Sequence, residues 1–280
     1  MRLQHTPRDH FVTLNGLRLH YLEWGEASRP WLFLLHGFAS NAHTWDQQAD
    51  VLCKRFHVVA LDQRGHGDSE WARDGYDQHR YVRDFAALAD ALGAPRFALV
   101  GHSMGGIHAI EYAARHLDRV ERLAAVDIGP DMPKGSAAIP REVQRPPEVF
   151  ASVDAVYQFM QPADPPAPAD VLRHRARHAV RQQPDGVWTW KYDPVLRSPK
   201  RPVRRVAPPV VVWDMLAAIT CPALVVRGER SNILDRHQAE RMAATFPDAR
   251  LVEIANAGHR VMLDNHPAFL AALEGFLTVA

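Results

Sequence analysis

The sequence predicts an α/β fold, a doubly wound and mostly parallel sheet with helices on both faces. Three observations carry this. Short continuous apolar runs recur along the chain, helical patterns of 3.6-residue period separate most of them, and one antiparallel hairpin precedes them all. Continuous runs mark strands buried on both faces, as parallel strands are, whereas half-exposed strands alternate. A chain of 280 residues is long enough for one such core with an insertion.

The hairpin is FVTLNGLRLHYLEWG, residues 11–25, two alternating runs joined by Asn15-Gly16. That dipeptide tolerates the positive φ angles of a tight turn, so an antiparallel edge is expected. Six buried runs follow: WLFLLHG from 31, HVVALD from 57, FALVGHS from 97, RLAAVDIG from 122, PALVVRGE from 222 and ARLVEIANAG from 249. Together with the hairpin they make an eight-stranded sheet. Residues 76–92 carry apolar side chains at 81, 82, 85, 88, 89 and 92 and stop at Gly93, which reads as an amphipathic helix. Helices are likewise expected at 104–116, 235–246 and 266–279. Strand alternating with helix is the pattern of a doubly wound sheet.

One region breaks the rhythm. From Pro133 to Pro209 the chain holds 14 of its 21 prolines, and 13 Lys or Arg against 7 Asp or Glu. Proline removes ladder donors, so this segment does not supply central strands. It is expected to be a helical cap at 133–209 lying over the carboxyl end of the sheet, with helices near 148–160 and 168–182. The core domain is then 1–132 and 210–280.

Composition narrows the function. A formal net charge of +1, with 47% hydrophobic and 23% charged residues, gives no reason to expect nucleic acid as a partner. The N-terminal MRLQHTPRDHFVTL lacks the apolar stretch of a signal peptide, and no run reaches the length of a membrane span. A cytoplasmic protein with no membrane partner is the expectation. Cys53 and Cys221, the two cysteines, are read as buried thiols.

The strongest chemical signal is FALVGHSMGG, residues 97–106, which contains G-x-S-x-G as Gly101-His102-Ser103-Met104-Gly105. It stands directly after an apolar strand and directly before a helix, which is the context the motif requires. Ser103 is therefore expected on a strained strand-to-helix turn, pointing outward where the helix dipole favours developing negative charge.

On these residues the chain resembles the α/β-hydrolase family, and the resemblance covers nearly its whole length. WLFLLHGFAS is similar to the family's oxyanion-loop segment, and LDQRGHGDS at 61–69 to its next strand and turn. The resemblance implies that the backbone N–H groups of Phe38 and Met104 hold an oxyanion. ANAGHRVMLDNHPAFL, from 255, resembles the loop of the catalytic histidine, which makes His259 the expected base for Ser103. His36, His66 and His102 are read as structural.

The third member of a triad is less plain. In many relatives a carboxylate lies three or four residues past the glycine ending the strand at 222, where VRGERSNILD places Ser231 and Asn232. Neither carries negative charge. Glu229 stands close to the strand, and Asp235 opens the next helix, where an acid is ordinary capping chemistry. Asp127, directly after the run at 122, opens onto the sheet's carboxyl edge, where α/β proteins place their sites. Some family members take their acid from that strand. Asp127 is the favoured acid, with Glu229 and Asp235 as alternatives.

Ser103 in the nucleophile position disfavours epoxide opening and dehalogenation, for which relatives use an aspartate. A serine with a histidine base suits acyl transfer through an acyl-enzyme: hydrolysis of an ester, thioester, lactone or activated amide. Carbon–carbon bond hydrolysis of ring-fission products and slow-turnover ligand sensing remain alternatives. No cofactor or metal is required, and no His/Cys/Asp cluster stands at ligand spacing along the chain. For a small-molecule substrate, an anionic one included, candidate contacts are Trp188, Trp190 and Arg177. RHRARHAVRQ at 173–182 and KRPVRR at 200–205 either line a basic pocket or form solvated faces of a lid.

Overall fold

Eight strands form one sheet in the computed structural model, which describes residues 3–131, 146–162, 167–197 and 213–278. The hairpin pairs β1 (Arg8–Leu14) with β2 (Leu17–Trp24) in antiparallel register, Leu14 opposite Leu17. Its turn is made by Asn15 and Gly16, both at positive φ. Next come β3 (Trp31–Leu35), β4 (His57–Asp62), β5 (Phe97–His102) and β6 (Val120–Val126). Within this sheet only β1 with β2 and β2 with β4 run antiparallel. Every residue of β4 and of β5 is buried, as the continuous apolar runs predict.

The core helices fall where the periodicity puts them, within two residues: Gln78–Ala91, Met104–Arg115, Arg236–Thr245 and His266–Leu277. Asp77 accepts from the Arg80 N–H and caps the first of these; Asp235 accepts from the Gln238 N–H and caps the third. Two apolar layers flank the sheet. One centres on Leu34, Trp45, Val100, Val226 and Phe269, the other on Phe33, Phe85, Leu99, Tyr112 and Met242. A short helix at Asp46–Leu52 and a single turn at Val261–Asp264 are additional to those the periodicity marks. Cys53 is buried, while Cys221 is only half-buried, and both are free thiols.

The insertion is more than helical. Its described part holds helices at Val153–Met160 and Ala169–Ala179, close to the expected positions, and also a three-stranded antiparallel sheet. That sheet comprises β7 (Val149–Phe150), β8 (Val180–Gln182) and β9 (Trp188–Trp190), in the order β7-β9-β8. The expected helix over 168–182 thus stops at Ala179, because β-branched Val180 and the residues after it pair with WTW instead. The basic run at 200–205 lies outside the described residues.

The main sheet is completed by β10 (Ala223–Gly228) and β11 (Ala249–Ile254), in the order β1-β2-β4-β3-β5-β6-β10-β11. The insertion sits over the carboxyl ends of β3 and β4. Asn41 Nδ2 donates to the His178 carbonyl at 2.9 Å, the Asp193 N–H donates to the Gly65 carbonyl at 2.8 Å, and the Tyr76 hydroxyl donates to Asp193 at 2.6 Å. Among the described residues no helix is long and apolar enough to cross a membrane.

Candidate active site

Ser103 stands between β5 and the helix Met104–Arg115 at φ 51° and ψ −120°, in backbone space that non-glycine residues rarely occupy. Two glycines make the turn possible. A Cβ on Gly101 would collide with the Gly105 carbonyl, and one on Gly105 with the Leu35 carbonyl, so β5, β3 and the helix meet only without them. The Ser103 N–H donates to the Val126 carbonyl at 2.9 Å, which ties the turn to β6. Ser103 itself is half-buried at the carboxyl end of β5.

His259 lies on the loop after β11, with its Nε2 3.0 Å from Ser103 Oγ and its Nδ1 2.7 Å from Asp127 Oδ2. Asp127 is wholly buried at the end of β6 and, like Ser103, has a positive φ, 52°. Its N–H donates to the Val226 carbonyl at 2.7 Å. The carboxylate is fully engaged: Oδ1 accepts from the Gly228 N–H at 3.0 Å, and Oδ2 accepts from both His259 and the Ser231 hydroxyl, the latter at 2.5 Å. The order β6-β10-β11 makes the arrangement possible, since Asp127 and the His259 loop approach from either side of β10.

The other carboxylates face elsewhere. Glu229 accepts from the Asn256 N–H at 2.7 Å, and Asp235 caps its helix. Ser231, where a carboxylate is usual in the family, buttresses the acid from one strand away. The serine by itself gives no such hint along the chain; an unusual short polar residue opposite an acid is the only sequence trace of the pairing.

Met104 is the first residue of its helix, so its N–H has no intrahelical acceptor. Neither it nor the Phe38 N–H forms a hydrogen bond among the described residues. Gly37 packs against the His102 ring and Ser103 Cβ, which brings the Phe38 loop beside the serine. His102 Nε2 donates to the His259 carbonyl at 2.7 Å and so anchors the histidine loop. Burial, reinforced by neighbouring His259 and Arg260, holds His102 well below the ordinary histidine range, and it is neutral. Burial also keeps His36 and His66 neutral, His66 at about 3. His36 donates from Nδ1 to the Gly37 carbonyl and accepts the Gln63 N–H at Nε2.

The expected substrate contacts are revised. Trp190 is buried among Phe150, Phe159 and Tyr192, and its indole N–H donates to the Pro147 carbonyl at 2.7 Å, so it holds the insertion together. Trp188 is half-buried in β9 opposite Phe150. Arg177 is exposed; on the same helix it is Arg175 that faces the core, in a pocket where the insertion meets Ala39, Ser40 and Leu263. Half-buried Arg175 forms no hydrogen bond among the described residues. Burial lowers its guanidinium to about 9, with Arg260 and Arg197 adding repulsion and Asp264 opposing it. Arg260, next to His259, has a buried Nε without a partner. Nothing within RHRARHAVRQ at 173–182 tells Arg175 from Arg177, because helical phase relative to the core depends on how the helix docks.

The profile of the Alpha/beta hydrolase family matches residues 32–273. A 2-(acetamidomethylene)succinate hydrolase of Mesorhizobium japonicum is 28% identical over 277 residues, with 96% of each chain covered. An esterase of Mycobacterium tuberculosis is 31% identical over 266 residues, covering 91% of this chain and 85% of its own. The crystal structure of an E-2-(acetamidomethylene)succinate hydrolase superposes with a TM-score of 0.87 at 26% identity, over 98% of this chain and 100% of the other. With a serine on a strand-to-helix turn and this extent of likeness, the chain belongs to the alpha/beta hydrolase family and is a hydrolase.

Proposed function

We propose that the protein is a serine hydrolase cleaving a carboxylic ester or related acyl bond of a small anionic molecule. The observation that carries this is the hydrogen-bonded line Ser103–His259–Asp127, at 3.0 and 2.7 Å, on a strained turn at the sheet edge. His259 Nδ1–H donates to Asp127, which leaves Nε2 to accept the Ser103 proton as Oγ attacks the acyl carbon. The oxyanion takes hydrogen bonds from the Phe38 and Met104 N–H groups, each worth on the order of 10²- to 10³-fold in turnover. The imidazolium returns its proton to the leaving group, and an acyl-serine remains. Water activated by the same His259 then attacks it, releasing the acid and restoring Ser103. The described part of the insertion, 146–162 and 167–197, sits over the carboxyl ends of β3 and β4 and contributes to substrate selection.

Anionic selectivity rests on Arg175 and Arg260. Arg260 follows His259 in the chain and Arg175 interacts with Arg260 from the insertion; two guanidinium groups held partly out of water, without full hydrogen bonding of their own, favour a carboxylate that pairs with them. A relative named for hydrolysis of a substituted succinate, a dianion at neutral pH, agrees with this.

A fluorophosphonate label tests the nucleophile: wild type is expected to be modified at Ser103 and Ser103→Ala to stay unlabelled. A labelled residue other than Ser103 removes the assignment. Substrate class is read by comparing p-nitrophenyl acetate, p-nitrophenyl hemisuccinate and a ring-fission dienoate. Turnover of the hemisuccinate with the lowest KM is expected, and cleavage of the dienoate alone would replace the ester reading with carbon–carbon hydrolysis.

A further inference from the structure

Outside the serine site, four side chains converge where the insertion meets the core: His43, Asp46, His174 and His178. Each offers one ligand atom, and these four atoms all lie within 4.8 Å of one another. His43 and Asp46 come from the loop and helix after β3, while His174 and His178 stand one turn apart on the helix Ala169–Ala179. We propose that these residues bind a single divalent transition-metal ion, Zn²⁺ foremost, that cross-links the cap helix to the core. Nothing in this proposal depends on the acyl-transfer reading.

The donor set has the right chemistry. Three imidazoles and one carboxylate form a four-ligand N₃O set of the type that suits Zn²⁺, Co²⁺, Ni²⁺ and Cu²⁺, with a charge of −1 when the imidazoles are neutral. Ligand atoms at about 2.0–2.1 Å from a tetrahedral Zn²⁺ stand roughly 3.3 Å apart. His43 Nδ1 is already 3.0 Å from Asp46 Oδ2, and His174 Nε2 is 2.6 Å from the same oxygen. The remaining ligand atoms lie within 4.8 Å of one another, so reaching that spacing asks for shifts of roughly 1–1.5 Å.

Hydrogen bonding alone leaves the cluster incomplete. Asp46 satisfies His43 and His174, but the His178 ring makes no hydrogen bond among the described residues, although its centroid lies 3.6 Å from that of His43 and 4.5 Å from that of His174. The backbone behind it is fixed, because Asn41 Nδ2 bonds the His178 carbonyl. An imidazole held against two others and a buried carboxylate, with its ring nitrogens unused, is placed to ligate. Along the chain the set shows only as the half-motifs His43-x2-Asp46 and His174-x3-His178, which stand at ligand spacing, contrary to the expectation of none, and the full set is hidden because the halves lie 128 residues apart.

The test is titration of metal-free full-length protein with Zn²⁺ and with Co²⁺, read by calorimetry, by thermal midpoint and by the visible Co²⁺ spectrum. One equivalent per chain, micromolar or tighter, an intense four-coordinate Co²⁺ spectrum and a raised thermal midpoint are expected. His174→Gln/His178→Gln should weaken binding by more than the ~10- to 100-fold typical of losing an outer-shell partner. His237→Gln, at an exposed histidine elsewhere, should bind as wild type. Absence of a stoichiometric site in wild type, or wild-type affinity in the folded double variant, overturns the proposal. If the double variant does not fold, the wild-type Co²⁺ spectrum decides: only weak six-coordinate bands, as from scattered surface histidines, overturn it too.

Discussion

At the scale of single residues, the acid at position 127 is the sharpest assignment to test. Asp127 holds His259 Nδ1 at 2.7 Å while accepting from Ser231 and the Gly228 backbone, so an amide there would present a donor to a donor and favour the wrong imidazole tautomer. Asp127→Asn is expected to lower kcat by about 10³- to 10⁴-fold with little change in KM. Glu229→Gln should leave kcat near wild type, because that carboxylate only accepts from the Asn256 N–H. Ser231→Ala is expected to fall between them, since Asp127 keeps two donors. Equal, small losses in Asp127→Asn and Glu229→Gln would remove Asp127 from the triad. For the arginines the measurement is KM: Arg175→Ala should raise KM for the hemisuccinate at least about tenfold and leave that for the neutral acetate nearly unchanged, as loss of a charge-assisted contact costs 1.5–3 kcal/mol or so.

At the scale of elements, Asp235 separates capping from catalysis. It accepts from the Gln238 N–H at 2.7 Å at the start of the helix Arg236–Thr245. Asp235→Ala should therefore cost about 1 kcal/mol in urea unfolding and leave kcat intact. A loss of kcat without a loss of stability would reverse the assignment. The same element logic explains the insertion. A proline-rich stretch is expected to form helices and little else, yet WTW pairs with both neighbouring strands, because strands of two or three residues need few donors and prolines at 184 and 194 lie outside the ladder. Short strands of this kind carry too little alternation to be seen in a sequence.

The whole molecule carries an unusual load of buried histidines, and this sets its response to acid. Burial holds His36, His66, His102 and His108 below their ordinary range, His66 and His108 at about 3. An unfolded histidine takes up a proton near pH 6.5, whereas these remain neutral when folded, so the unfolded state binds more protons below that pH. Their contribution to stability is complete above about pH 6.5 and falls by up to roughly 1.4 kcal/mol per pH unit for each histidine as the pH drops. His178 and His266 are lowered by burial as well, and His20, raised by its bond to Asp62 despite burial, works in the opposite direction, so one group opposes six. The thermal midpoint is therefore expected to decline from about pH 6.5 downward, before carboxylates begin to titrate. A midpoint flat between pH 7 and 5 would contradict this balance.

By itself, the sequence determined whatever depends on near neighbours. Continuous apolar runs made the parallel strands legible, and Gly101-His102-Ser103-Met104-Gly105 made the strained turn legible, because burial on both faces and a crowded turn each constrain consecutive residues. His259 was legible from its loop, and Asp127 partly so, from its place at a strand end. Only the tertiary structure decided which groups meet across distance. Strand order put Asp127 against His259 and set Ser231 behind it, the docking angle of one helix turned Arg175 inward and Arg177 outward, and the closure of insertion on core assembled His43, Asp46, His174 and His178. Such encounters join residues more than a hundred positions apart, and no local pattern records the free energy that brings them together.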